Sequence, residues 1–264
     1  MILLLFLFLL VVVQLIRCHC REKEYFFISS LSPTPPLSPT SITFLTTDEL
    51  YDALISNNDK FFDIFFDYDM KARQIQSIQD YFPKIQSAVD RFSENEKAKI
   101  QKCSILSDNY LMTINIPGFD GVKASNIPWK IGKVSGLSYE YGLPHTRHGT
   151  IIVLPNKNIN DNDSELTRTL IHEKIHLYQK MYSSDIEVYL QQHNMVRIKK
   201  RQYDDYIRAN PDLDDWVYKD EKTGLIYKCE YSSKDPQNIL DVKNTDQLFE
   251  HPFEKMAVEI SEGR

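Results

Sequence analysis

The pentapeptide His172-Glu173-Lys174-Ile175-His176 combines residue types and a spacing that could bind a catalytic metal ion. On a helix, residues i and i+4 lie on one face, so the two imidazoles could bind one zinc ion at Zn–N distances of roughly 2.0–2.1 Å. Glu173 is turned by about 100° from His172, so its carboxylate reaches a water molecule on the metal more readily than the metal itself. The pattern therefore predicts two metal ligands and a general base for hydrolysis.

The residues around this motif predict the helix that must carry it. Ser164 is the predicted N-cap, and residues 165–182 contain neither glycine nor proline. At about 100° per residue, Leu166, Leu170 and Leu177 fall opposite the two histidines. We therefore predict a helix over residues 165–183 that packs on a core and lines a polar cleft with its histidine face. The alternative is an amphipathic surface helix that carries two histidines by chance.

A catalytic zinc ion takes three protein ligands, so one more ligand must come from elsewhere in the chain. Pro252 suits the first turn of a helix, which places Glu254 in that turn. Ala257 lies on the same face and is small enough for two helices to approach closely. Glu254 is therefore the predicted third ligand. Four other side chains remain alternatives: Glu187, His193, His251 and Glu259.

His172-Glu173-x-x-His176 followed by Glu254 resembles the gluzincin arrangement of zinc metallopeptidases. Residues 145–262 also resemble poorly characterised metallopeptidases of large DNA viruses and some microbes. The resemblance implies that His172, His176 and Glu254 bind Zn²⁺. It further implies that Glu173 activates water and that the substrate is a peptide or protein. The chain departs from thermolysin-like enzymes in its longer spacer, with 77 residues between His176 and Glu254.

The elements before the motif helix favour an α+β fold. Capping-box patterns at Thr46 and Ser93 predict helices in the first part of the domain. Strand-like runs follow at residues 110–116, 129–134, 136–141 and 150–154. Helices, a small mixed β-sheet and then an active-site helix packed on it are the layout of a zincin-like fold. In such enzymes the substrate adds to an exposed edge strand of the sheet.

We therefore expect one zincin-like metallopeptidase domain over residues 46–264. It comprises helices and then the sheet in 46–165, the motif helix in 165–183, and a hairpin and the third-ligand helix in 184–264. The hairpin is predicted over residues 216–231, around a turn that contains Gly224.

The first 45 residues predict export. Residues 2–16 are almost entirely apolar, which is short for a membrane-spanning helix of roughly 20 residues and typical of the core of a signal peptide. Residues 1–20 are therefore predicted to be a cleaved signal peptide or a retained signal-anchor, with retention in the cytosol as a third alternative. Residues 21–45 are rich in proline, serine and threonine and predict a linker. The protein is expected to be secreted or anchored to a membrane through residues 2–16.

Composition excludes several classes of function. The formal net charge is −6, and the short basic run Lys199-Lys200-Arg201 is followed by acidic residues, so no nucleic-acid partner is expected. The chain has only 8 glycines and no phosphate-binding glycine loop. Cys103 and Cys229 could form a disulfide in an exported protein or remain free thiols.

Two further groups of side chains could stabilise a transition state. His145, Arg147 and His148 precede the last predicted strand and could face either the cleft or solvent. A tyrosine of the hairpin region could donate a hydrogen bond to a tetrahedral intermediate, and three are candidates: Tyr218, Tyr227 and Tyr231.

Two classes of function fit these patterns. The first is a zinc-dependent peptide-bond hydrolase in which Glu173 activates a water molecule. The alternative is a non-catalytic zinc-binding or membrane-tethered interaction protein of zincin-like fold. A metal hydrolase that acts on another bond is a third interpretation, because the motif does not identify the scissile bond.

Overall fold

A computed structural model describes residues 41–243 and 249–263. The predicted signal segment and most of the predicted linker lie outside these residues. The linker prediction is wrong at its C-terminal end, because β1 (Ile42–Phe44) pairs in parallel with residues 129–131. Within the described ranges, no helix has both the length and the apolarity needed to cross a bilayer.

The helices of the described residues are α1 Thr47–Ile55, α2 Asp67–Ala72, α3 Tyr81–Ala88, α4 Glu94–Leu111, α5 Gly121–Ser125, α6 Asn156–Asn160, α7 Asp163–Met181, α8 Ser183–Gln192 and α9 Pro252–Ser261. The Thr46 hydroxyl accepts a hydrogen bond from the Glu49 backbone N–H at 3.2 Å, which confirms the capping box of α1. Ser93 caps α4 in the same way.

The strands that follow β1 are β2 Val89–Asp90, β3 Asn115–Ile116, β4 Phe119–Asp120, β5 Trp129–Val134, β6 His145–Arg147, β7 Ile151–Pro155, β8 Met195–Lys200, β9 Trp216–Asp220 and β10 Ile226–Tyr227. The main sheet has the order β1-β5-β7-β6, and β2 pairs with another part of β5. Strands β1, β5 and β7 are parallel, whereas the edge strand β6 is antiparallel to β7. The mixed architecture of helices and small sheets is therefore confirmed.

A second sheet has the order β10-β9-β8, with antiparallel pairing throughout. Strands β9 and β10 form the predicted hairpin. Strands β3 and β4 form a separate two-stranded ribbon.

Two predicted strands are wrong. Residues 110–116 were expected to be extended, but α4 continues to Leu111 and only residues 115–116 form a strand. Tyr110 and Leu111 are buried on the same core as Ile100, so packing on that core favours another helical turn over an early strand. Residues 136–141 form turns instead of a strand, because Gly136 and Tyr141 both have positive φ.

Helix α7 is a core helix along one face. Leu166, Leu170 and Leu177 are fully buried, as their positions opposite the histidines predict. Helices α4 and α9 both pack against α7. The helix begins earlier than predicted, because the Asn162 side-chain oxygen accepts from the Glu165 backbone N–H at 3.0 Å and replaces Ser164 as the N-cap.

Lys174 lies on the apolar face of α7 and has a specific set of partners. Its ammonium forms an ion pair with Asp108 on α4 and donates to the Ser125 carbonyl at 3.0 Å. It also lies 4.0 Å from the centroid of the Trp129 ring, whose Nε1–H donates to Asp108 at 2.9 Å. Burial lowers the pKa of Lys174 to about 8, and Asp108 opposes this shift. The buried lysine therefore depends on Asp108 for its charge.

Replacing Asp108 with alanine is expected to destabilise the protein by about 3–5 kcal/mol, because it leaves the Lys174 ammonium buried without its carboxylate. Urea unfolding measures this free energy. Glu94→Ala is the matched control on the same helix, because the Glu94 side chain is 87% exposed in its ion pair with Lys97. The control variant should have nearly the same free energy of unfolding as the wild type. An equal decrease in the free energy of unfolding of both variants would refute the prediction.

A second buried carboxylate joins the first helices to the segment that precedes β9. Asp69 on α2 is fully buried and accepts hydrogen bonds from the Ala209 backbone N–H and from Arg201, both at 2.8 Å. The Tyr231 hydroxyl donates to the same carboxylate at 3.2 Å. These contacts fix the backbone at Ala209 against α2.

Candidate metal centre

Helices α7 and α9 bring the predicted site residues together. His172 and His176 lie on one face of α7, and Glu254 lies in the first turn of α9. That turn begins at Pro252, and the His251 Nδ1 atom accepts from the Phe253 backbone N–H at 3.1 Å, so His251 is the N-cap. The structure thus brings Glu254 to the two histidines across a long stretch of chain.

The His172, His176 and Glu254 side chains come close enough to share one metal ion, because one ligand atom from each lies within 4.8 Å of the others. The His172 and His176 Nε2 atoms are 3.0 Å apart. The Glu254 carboxylate oxygens lie 3.3 Å from His172 Nε2 and 3.6 Å from His176 Nε2. Tetrahedral ligands about 2.05 Å from a zinc ion are about 3.3 Å apart. Within the described ranges, these residues form the one cluster of three or more side chains that could hold a metal ion.

Gln179 orients His176, a role that the sequence analysis missed. The Gln179 side-chain nitrogen donates to the Phe253 carbonyl at 2.9 Å, so its oxygen faces the His176 Nδ1 atom at 2.8 Å. The His176 Nδ1–H therefore donates to Gln179, and the Nε2 atom faces the centre. One buried amide thus connects a histidine of α7 to the helix that bears Glu254. The i+3 spacing of Gln179 from His176 is the signal that could have identified it.

A series of polar contacts also reaches the Glu254 carboxylate. The Asn210 side-chain nitrogen lies 3.4 Å from Glu254 and 2.9 Å from Glu250. Glu250 in turn pairs with Arg208 through both carboxylate oxygens, at 2.9 and 2.7 Å. These contacts restrict the orientation of the Glu254 carboxylate.

Electrostatic interactions couple the two helices. Burial opposes the charge of His176, but Glu254 and Asp212 outweigh it and raise the His176 pKa to about 10. Burial also opposes the charge of Glu254, but His176 and His172 hold its pKa well below the usual range. The centre therefore favours an anionic carboxylate beside positive charge.

Glu173 differs from Glu254 in the direction of its pKa shift. It is 2% exposed, and burial raises its pKa well above the usual range, with further effect from Asp212. Its Oε2 atom is buried and has no hydrogen-bond partner in the protein. A buried carboxyl oxygen without a partner is costly, and carboxyl groups with strongly shifted pKa values occur most often at functional sites.

A cavity of about 780 Å³ opens beside the ligand cluster. Its wall includes His172, Glu173, Glu254, Asn210 and His145. His176 is 1% exposed and lies behind this wall. Cavities of this size hold ligands of a few hundred daltons, so a molecule could reach both the cluster and the Glu173 carboxylate.

The alternative third ligands bind other groups. Their partners are Arg197 for Glu187, the Tyr189 carbonyl for His193, Asp214 for His251 and Lys255 for Glu259. None of these four side chains belongs to the ligand cluster formed by the described residues.

Among the three residues 145, 147 and 148, only His145 reaches the cavity wall. Its Nε2 atom lies 3.2 Å from the Tyr139 hydroxyl. Arg147 is fully buried and binds Asp59, and the His148 Nε2 atom bonds to the Ala53 carbonyl.

The tyrosines predicted as transition-state donors do not line the cavity. The Tyr218 hydroxyl donates to Asp214, and the Tyr231 hydroxyl donates to Asp69. Cys103 and Cys229 are free thiols, so the disulfide alternative does not hold.

Comparison of the chain with protein-family models, with curated proteins and with solved structures gives no match. The resemblance to gluzincins therefore remains a hypothesis based on the motif residues. Functional conclusions depend on the geometry of the His172, His176 and Glu254 cluster and on the buried Glu173 carboxyl group beside it.

Proposed function

We propose that this protein is a zinc-dependent peptidase of zincin-like fold. His172, His176 and Glu254 hold the zinc ion, and Glu173 is the general base. The observation that carries the proposal is the convergence of the His172, His176 and Glu254 side chains, whose ligand atoms lie within 4.8 Å of one another, beside a buried carboxyl oxygen without a partner. Both the cluster and Glu173 face a cavity large enough for a substrate.

The arrangement of the main sheet supports the zincin-like assignment. The sheet is mixed, and its antiparallel edge strand β6 lies next to the helix that bears the motif. His145 of β6 and Glu173 of α7 line the same cavity. The motif helix thus lies against the edge of a small sheet, as the predicted fold requires.

A zinc ion held in this centre supplies a Lewis acid that lowers the pKa of water and polarises a carbonyl group. Glu173 accepts the proton that the attacking water loses and then delivers it to the nitrogen of the leaving amine. Gln179 and Asn210 hold the ligands His176 and Glu254 in position during both steps.

The number of ligands favours catalysis over a purely structural zinc site. Structural zinc ions are enclosed by four protein ligands, whereas catalytic ions have three protein ligands and one position open to water or substrate. Three side chains form the cluster, and two of them, His172 and Glu254, line an open cavity. The proposal includes secretion or membrane anchoring through residues 2–16, which precede the described ranges.

Metal removal tests the proposal. The purified protein is expected to contain about one zinc ion per chain and to cleave members of a mixed peptide library. Treatment with 1,10-phenanthroline should abolish cleavage, and added zinc should restore it. Elemental analysis and mass spectrometry of the products provide the two measurements. Less than half an equivalent of zinc would refute the metal site, and bound zinc without any cleavage would favour a non-catalytic zinc-binding role.

A further inference from the structure

The edge strand β6 has one residue whose main-chain groups point away from the sheet. Strand β6 pairs with β7 in the register His145 to Val153 and Arg147 to Ile151. The Arg147 carbonyl accepts from the Thr150 backbone N–H on the β7 side. Because main-chain groups alternate along an antiparallel strand, the N–H and C=O groups of Thr146 face outward. A substrate that adds to this edge would have to pair with Thr146.

Both outward groups of Thr146 are already bound within the protein. Its backbone N–H donates to the Asp212 carboxylate at 2.7 Å, and its hydroxyl donates to the same oxygen at 2.6 Å. Its carbonyl oxygen lies 3.4 Å from the Lys180 ammonium. Asp212 is 5% exposed, so solvent does not compete for these bonds.

The flanking outward positions offer no donor either. Pro144 lies two residues before Thr146 and has no backbone N–H. His148 lies two residues after Thr146, and its backbone N–H donates to the Asp59 carboxylate at 3.1 Å. Residues 144–148 therefore present no unbound main-chain donor to a substrate strand.

Hydrogen bonds hold the segment that contains Asp212 in place. Lys180 donates to the Pro211 carbonyl at 2.7 Å, and the Asp212 backbone N–H donates to the Asn210 side chain at 2.9 Å. The buried Asp69 carboxylate holds the Ala209 backbone N–H. Residues 209–212, the edge segment, are therefore held in place, and their Asp212 side chain binds the Thr146 backbone N–H with which a substrate strand would pair.

We infer that the edge segment, through Asp212, excludes extended polypeptides and restricts the substrates of this enzyme to short peptides. This inference rests on the proposed peptidase function and specifies its substrate class. A short peptide is held by the walls of the cavity of about 780 Å³, and its backbone does not pair with β6. Asp212 is thus a specificity-determining residue that acts by occupying the Thr146 backbone N–H.

A nested set of peptides tests this inference. One scissile sequence, taken from the library screen, is placed at the centre of peptides of 4, 6, 8, 12 and 16 residues, and reduced, alkylated casein serves as the long substrate. We expect kcat/KM to be highest at about six residues, to fall for the 12- and 16-residue peptides, and to be at least tenfold lower for casein than for the six-residue peptide. Casein cleaved as fast as the short peptides would overturn the inference. Failure to cleave any peptide would instead refute the proposed function.

Backbone methylation provides a second test. Strand pairing requires substrate N–H groups, so N-methylation of residues that flank the scissile bond should change kcat/KM by less than about threefold if no pairing occurs. A loss of tenfold or more at alternate positions would show strand pairing and overturn the inference.

Substitution of Asp212 tests its role directly. Asp212→Ala frees the Thr146 N–H and is expected to raise the ratio of kcat/KM for the 16-residue peptide to that for the 6-residue peptide at least fivefold. Asp212→Asn keeps an acceptor oxygen and should leave this ratio unchanged. The ratio is measured within each variant, so a general loss of activity does not affect it. An unchanged ratio in a folded Asp212→Ala variant would overturn the assignment of Asp212.

Discussion

Replacing Glu173 with glutamine is expected to leave about one zinc ion per chain in place and to lower peptide hydrolysis by about 10²- to 10⁴-fold. Glutamine has nearly the same shape as glutamate but cannot accept the proton of an attacking water. The zinc ion should remain, because Glu173 is outside the cluster of His172, His176 and Glu254. Elemental analysis and kcat/KM on a library-derived peptide measure the two effects separately.

Asp163→Asn is the matched control on the same helix. Asp163 forms an ion pair with Lys102 at 2.7 Å and is outside both the ligand cluster and the cavity wall. The control variant should retain both zinc and activity. The Glu173 variant should also keep its thermal unfolding temperature, because burial already disfavours the charge that the substitution removes. Wild-type turnover in a zinc-loaded Glu173→Gln protein would remove the basis for a general-base mechanism.

Replacing Glu254 with glutamine is expected to weaken zinc binding more than about 100-fold. Loss of a group that merely orients a ligand costs about 10- to 100-fold in metal affinity, so loss of the anionic ligand itself should cost more. Competition with a chromophoric chelator measures the affinity. At limiting zinc concentration, peptide hydrolysis should decrease together with the zinc affinity.

Glu259→Gln is the control for helix α9. Glu259 forms an ion pair with Lys255 on the same helix and is not part of the cluster. Its replacement should leave zinc affinity within about threefold of wild type, the scale expected for a surface ion pair. A Glu254 variant that binds zinc as tightly as this control would mean that another group provides the third ligand.

The features that were predictable from sequence depend on residues within a few positions of one another. The capping boxes at Thr46 and Ser93 and the start of α9 at Pro252 are local patterns, and the structure confirms all three. The buried face of α7 follows from helical periodicity in the same way. The local pattern placed Glu254 in the first turn of a helix and a small residue, Ala257, on the same helix face. This pattern was sufficient to select Glu254 as a candidate ligand.

The features that were not predictable depend on contacts between distant parts of the chain. Asp212 binds Thr146 across 66 positions, and Asn210 reaches Glu254 across 44. The extension of α4 through residues 110–111 likewise depends on packing against the core. Hydrophobic periodicity contains no information about such partners. The zincin-like layout implied an exposed edge strand, whereas in the structure Asp212 binds the Thr146 backbone N–H of β6.

The wide separation of the two helices along the chain affects when the centre can form during synthesis. Ribosomes add about 5–20 residues per second, so the 78 positions from His176 to Glu254 take roughly 4–16 s to translate. During that interval a nascent chain has both imidazoles and Glu173 but lacks the carboxylate that completes the cluster. The order of residues therefore delays assembly of the His172, His176 and Glu254 cluster until most of the chain has been synthesised.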